Sequence, residues 1–110
     1  GNFADKIGDF ALTFGLDTQA VLDLDTALGK SDVQLQSYGM AMIAVTDRLD
    51  QARLGATDAA SAFSRLGIDV NSARVKSMGT VELMGEIFDA SDGNYGSPNL
   101  HAGLRAAVWR

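Results

Sequence analysis

Hydrophobic positions recur along this chain at three- and four-residue intervals, the pattern of helices that each bury one face. Phe3, Ile7, Phe10, Ala11 and Phe14 form the first stripe, and Gly15 follows it as a stop. Asp17 or Thr18 is placed to cap a second helix; with Asp17 as the cap, Leu16 and Val21 have the spacing of a hydrophobic staple. That helix carries Val21, Leu24 and Leu28 on one face and is expected to end at Gly29. The longest seam comes next. Leu35, Tyr38, Met42, Val45, Leu49 and Ala52 alternate by three and four, a heptad-like repeat. Ser31 and Gln34 have capping-box spacing, which predicts a helix over about residues 32–54, closed by Gly55.

The second half continues the pattern in shorter pieces. Thr57 is a candidate cap for a helix over 58–66, whose stripe is Ala59, Phe63 and Leu66. Gly67 then falls where a left-handed residue is wanted, and Ile68 is placed to fold back on the last turn. Residues 69–76 are polar apart from Val70, Ala73 and Val75 and read as a connector, with a short extended pair expected there. Ser77 or Thr80 starts a helix with Thr80, Leu83, Met84 and Ile87 on one face. Turn formers dominate 91–99, which reads as a loop or linker. Ser97 as cap and Pro98 at the first helical position then predict a last helix over 100–110 bearing Leu100, Leu104, Ala107 and Val108. The expected fold is all-α: an irregular bundle of five or six short helices, with residues 1–90 as one helical module.

Composition narrows the function classes. Hydrophobic residues make up 46% and charged residues 21%, ordinary globular usage for a one-domain length of 110 residues. A net charge of −5 argues against a nucleic-acid backbone as partner. With no cysteine, disulfides and thiolate metal sites are excluded. The longest apolar run, residues 40–45, is far short of the roughly 18 residues of a membrane span. The chain opens Gly-Asn-Phe-Ala-Asp-Lys, without an initiator Met or a signal-peptide pattern, and reads as a fragment, a processed product or the ordered part of something longer.

Candidate chemistry is sparse. Glu82 and Glu86 lie four apart on one helical face, but acid–base work needs environments that split two carboxylate pKa values, and a solvated face is the simpler reading. Asp47 and Asp50 beside Arg48 and Arg53 read the same way. Asp89, Asp92 and Asn94 hint at cation ligation without the spacing or terminal Glu of an EF-hand loop. His101 is the only histidine, and no nucleophile motif frames any serine. Met40, Met42, Met78 and Met84 are read as gap-filling core residues. The chain is therefore expected to be no enzyme and to need no cofactor or metal.

Residues 59–90 read AASAFSRLGIDVNSARVKSMGTVELMGEIFDA. This string, after a capped helix with a heptad-like seam, resembles a recurring segment of phage and prophage tail tape-measure proteins. Family members commonly show an Ala-Phe-x-x-Leu-Gly-Ile-x-Val unit, a polar connector and an acidic-apolar helix in that order. Residues 15–28, 31–54, 62–70 and 77–90 match those parts, so the resemblance covers about 15–90 and does not extend into 91–110. It implies a structural role in the tail-tube lumen, tail-tube and tail-tip proteins and further copies of the chain as partners, and a place in the virion tail or in the host cytoplasm during assembly. Leu35, Tyr38, Met42, Val45, Leu49, Phe63, Leu66 and Ile68 are the candidate packing and interaction residues. The alternatives are a helical interaction module of other origin, such as an adaptor or secreted helical hairpin, and a cell-wall hydrolase segment.

Overall fold

The computed structural model describes residues 2–30 and 32–90. Among them are six helices and no strand: α1 (Phe3–Phe14), α2 (Thr18–Gly29), α3 (Leu35–Arg53), α4 (Thr57–Arg65), α5 (Ala73–Lys76) and α6 (Thr80–Ala90). The all-α bundle expected from the spacing is what the chain forms. Residues 91–110, which include the expected linker, the expected last helix and His101, lie outside the described residues, as does Ser31.

Helix starts are set by side chains that satisfy the first orphan N–H groups. The Asn2 side-chain oxygen accepts from Asp5 N–H at 2.9 Å, and the Asp17 carboxylate accepts from Ala20 N–H at 2.7 Å. Ser72 Oγ does the same for Val75 N–H at 3.2 Å and opens α5.

Four helix ends share one closure. A backbone N–H reaches back to the carbonyl five residues earlier: Leu16 to Ala11, Val33 to Leu28, Ala56 to Gln51 and Ile68 to Phe63, all at 2.9–3.0 Å. Each needs a left-handed residue just before the donor, and these are Gly15, Asp32, Gly55 and Gly67. At α4 the motif is complete, because Gly67 N–H also bonds the Ser64 carbonyl and Ile68 buries beside Phe63. The glycine stops expected at 15, 55 and 67 are therefore present.

Several expectations need correction. α2 does end at Gly29, as its spacing predicts, but the left-handed residue that closes it is Asp32 at φ 57, a residue type that tolerates this region through its short polar side chain. Because Asp32 is spent closing α2, α3 starts at Leu35, three residues later than the capping-box spacing predicts, and Gln34 precedes it without a side-chain cap. Thr57 is the first residue of α4 and not its cap; Ala56 holds that position. The extended pair expected in 69–76 is absent. An Asp69 carboxylate that accepts from Asn71 N–H, followed by the Ser72 cap, turns the connector into α5 instead.

The helices bury two clusters. The first joins Ile7, Phe10 and Ala11 of α1, Val21, Leu24 and Leu28 of α2, Tyr38 and Met42 of α3, and Met84 and Phe88 of α6. The second joins Ala52, Ala59, Phe63, Ile68, Val70, Val75, Leu83 and Ile87. α3 and α6 contribute to both, and Val45 packs against both. On α6 the two adjacent i, i+4 rows divide the work: Met84 and Phe88 face one cluster, Leu83 and Ile87 the other. Where α1 passes α3, Gly39 allows contact: a Cβ there would stand 2.9 Å from the Phe10 ring.

Candidate interaction surface

The eight residues singled out from sequence are brought together, mostly as interior. Tyr38, Met42, Phe63 and Ile68 are buried; Leu35, Val45, Leu49 and Leu66 are half-buried against one or both clusters. Full burial of a large apolar side chain is worth about 1.5–3 kcal/mol, which makes Met42, Phe63 and Ile68 stability determinants first. Leu35, Val45, Phe63, Leu66 and Ile68 also line accessible hollows.

The larger apolar hollow is a groove of about 350 Å³ between α3, α4 and α6. α3 supplies Ala41, Ala44 and Val45 with Arg48 at one end. Ala62 and Phe63 of α4, with Leu66 just after it, form the opposite wall, and Met84, Ile87 and Phe88 of α6 close the floor. The alanines decide its shape. α3 and α4 pack against each other, and short side chains on the solvent side of that contact leave a trough where leucines would fill it. A second hollow of about 310 Å³ lies between α1 and α3, with Phe10, Phe14, Leu35, Met40 and Ile43 in its lining and Lys6 and Asp9 at its edge.

Sequence reasoning missed the exposed apolar residues of α3. Met40 is 66% exposed and Ile43 57%, so Met40 is no core filler, while Met42 and Met84 are. The signal was present in the apolar run 40–45. Six consecutive residues at 100° apiece wrap more than a full turn, whereas a buried helix face spans little over 100°. Part of such a run must face outward.

Several polar side chains are tied into the fold. Arg53, expected on a solvated face, instead donates from Nε to the Val70 carbonyl at 2.8 Å and ties the end of α3 to the connector. Glu86 is not free on its face either: it pairs with Arg74 of α5 at 2.9 Å. Burial pushes the Tyr38 phenol well above its ordinary range, and among the described residues its hydroxyl has no hydrogen-bond partner. No three His, Cys, Asp or Glu side chains among the described residues come together as a metal site. No helix among them is long and apolar enough to cross a membrane. A scan of protein-family models, a search of curated proteins and a search of solved structures each found no match to the chain.

Proposed function

We propose that this chain is a helical interaction module without catalytic activity, and specifically a folded segment of a phage or prophage tail tape-measure protein. The observation that carries the reading is the Ala-Phe-Ser-Arg-Leu-Gly-Ile-Asp-Val unit of residues 62–70, set between a seam helix and an acidic-apolar helix as in that family. The Phe63–Ile68 closure gives this unit a physical purpose, since it turns the chain sharply after α4 and seats Ile68 in the second cluster. The apolar groove and the outward Met40 and Ile43 support an interaction role in general.

The module is not itself a length ruler. Drawn out as one helix, 110 residues would reach about 165 Å. The folded chain's longest principal extent is 41 Å. It serves as a folded station on the ruler or at one end of the tube, in contact with tail-tube or tail-tip proteins, in the virion tail and during its assembly in the host cytoplasm.

Genomic context and tail assembly test this. Tail-tube and tail-tip genes are expected to flank the reading frame, and an antibody against residues 15–90 is expected to label assembling tails. A frame of about this length with no tail genes nearby, or tails of normal length and infectivity when the segment is deleted in frame, would overturn the reading. Clearing of peptidoglycan by the purified chain would overturn the non-enzyme part alone.

A further inference from the structure

We infer that the exposed crest of α3, from Met40 to Asp47, is the contact through which this chain pairs with a second copy of itself. Shape makes the first argument. The two apolar hollows open on opposite shoulders of α3: Met40 and Ile43 border the one against α1, Ala41 and Ala44 the one against α4 and α6. Met40 and Ile43 are the large side chains of the crest, and both are more than half exposed. One face thus carries knobs and holes together, and helix surfaces pack by setting the ridge of one into the groove of another. A second copy supplies the complement of each, which is what a twofold interface requires of a single patch. The heptad-like seam is not available for this pairing, because Tyr38, Met42 and Ala52 are already buried within the chain.

Charge and area are the second argument. The charged groups on this patch are Lys6 and Asp9 of α1 and Asp47 and Arg48 of α3, while α4 and α6 add none to the hollows. Each helix therefore brings one charge of either sign, and the patch is neutral on a chain whose net charge is −5. Such a patch has no field that selects a strongly acidic or a strongly basic partner. Two copies repel one another over the rest of their surface, so contact costs least where the charges balance. Ten residues line each hollow and none is shared. The crest and its shoulders thus offer about twenty, the lower bound of the roughly 20–30 residues a side in a standard-size interface. The expected pair is reversible and not obligate. The inference rests on the general interaction reading above and is independent of the tail assignment.

Sedimentation equilibrium of the full chain from about 1 μM to about 1 mM tests this. The mean mass is expected to rise from that of one chain toward twice it and to stop there, because a twofold contact is closed. Met40→Lys and Ile43→Lys are each expected to weaken the pair at least tenfold while circular dichroism stays helical. Leu12→Lys is the control, since Leu12 is 85% exposed and lines neither hollow. Should the lysine variants lose helicity, Met40→Cys gives a second reading. The chain has no cysteine, so a disulfide at that position can form only between two copies. Mild oxidation is expected to link Met40→Cys as a dimer at concentrations where Leu12→Cys stays monomeric. A monomer at every concentration, whether the crest is bare or covered by this chain's own residues 91–110, would overturn the inference. So would a mass that climbs past two chains, or a pair that Leu12→Lys weakens as much as Met40→Lys. None of these outcomes bears on the tail reading, which rests on residues 15–90 and on gene context.

Discussion

The two buried clusters are built by different means. The first takes large side chains from helices of eleven residues or more: Ile7, Phe10, Leu24, Leu28, Tyr38, Met42, Met84 and Phe88. The second relies on smaller residues, Ala52, Ala59, Val70 and Val75 among them, and on short elements joined by tight turns. What it lacks in volume it makes up in chain direction. Gly55 and Gly67 close α3 and α4, Ser72 caps α5, and Arg53 and Arg74 bridge to Val70 and Glu86. A short helix is marginal alone because nucleation is costly, so α4 and α5 depend on these fixed ends. Caps and left-handed closures serve both regions; the second adds the Arg53 and Arg74 bridges to a smaller packed volume.

The sharpest way to break that contrast is to remove volume from each side. Leu28 is fully buried, and Leu28→Ala is expected to cost about 2–5 kcal/mol, the usual range for a leucine cavity. Val70→Ala deletes two methyl groups from the second cluster and should cost about 1.6 kcal/mol. Urea unfolding of both variants measures this directly. Equal losses would show that the second cluster is as packing-dependent as the first.

Removing a tether should have the opposite distribution. Arg53→Ala strips the Val70 carbonyl of its partly buried donor, with an expected cost of about 1–3 kcal/mol. Hydrogen exchange should localise the loosening to residues 66–76 and spare α1 and α2. Next in size is Gly67→Ala. With φ at +75 and open space around the added Cβ, only the left-handed backbone is penalised, at about 1–2 kcal/mol. A loss spread evenly over all six helices in either variant would count against a separately tethered second region.

Most of the first region was legible in the sequence, since its helices carry unbroken three-four stripes and Asp17 sits at a cap. The second was legible only where glycine marks a left-handed turn. The start of α3 was not, because a capping-box pattern around Ser31 competes with the closure of α2, and the left-handed Asp32 decides it. The connector misled for a similar reason. Val70 and Val75 look like strand residues, but Asp69 and Ser72 bond the neighbouring backbone and bend the chain into α5. The groove was invisible to periodicity altogether. Ala41, Ala44 and Ala62 line one hollow only because α3 and α4 pack together after Gly55, and a stripe on one helix carries no record of where another helix leaves a gap.

The smallest expected change concerns the one polar atom that the first region buries without a partner among the described residues. Tyr38 is 3% exposed, and its hydroxyl gains nothing from folding while losing water. Tyr38→Phe should therefore be neutral or stabilise by up to about 1 kcal/mol, at the low end of what an unsatisfied buried group costs. The pH dependence gives the sign independently. An unfolded tyrosine ionises near pH 10, whereas burial raises the folded value above that. Tyr38 then contributes its full share of stability below about pH 10, and loses it as pH rises, because the unfolded chain binds fewer protons than the folded one. The slope is about 1.4 kcal/mol per pH unit in that window. Thermal melts between about pH 9 and pH 11 should show the advantage of Tyr38→Phe widening with alkalinity. A variant less stable than the parent at neutral pH would mean that the hydroxyl has a partner after all, and that the first region, too, contains a directional tether.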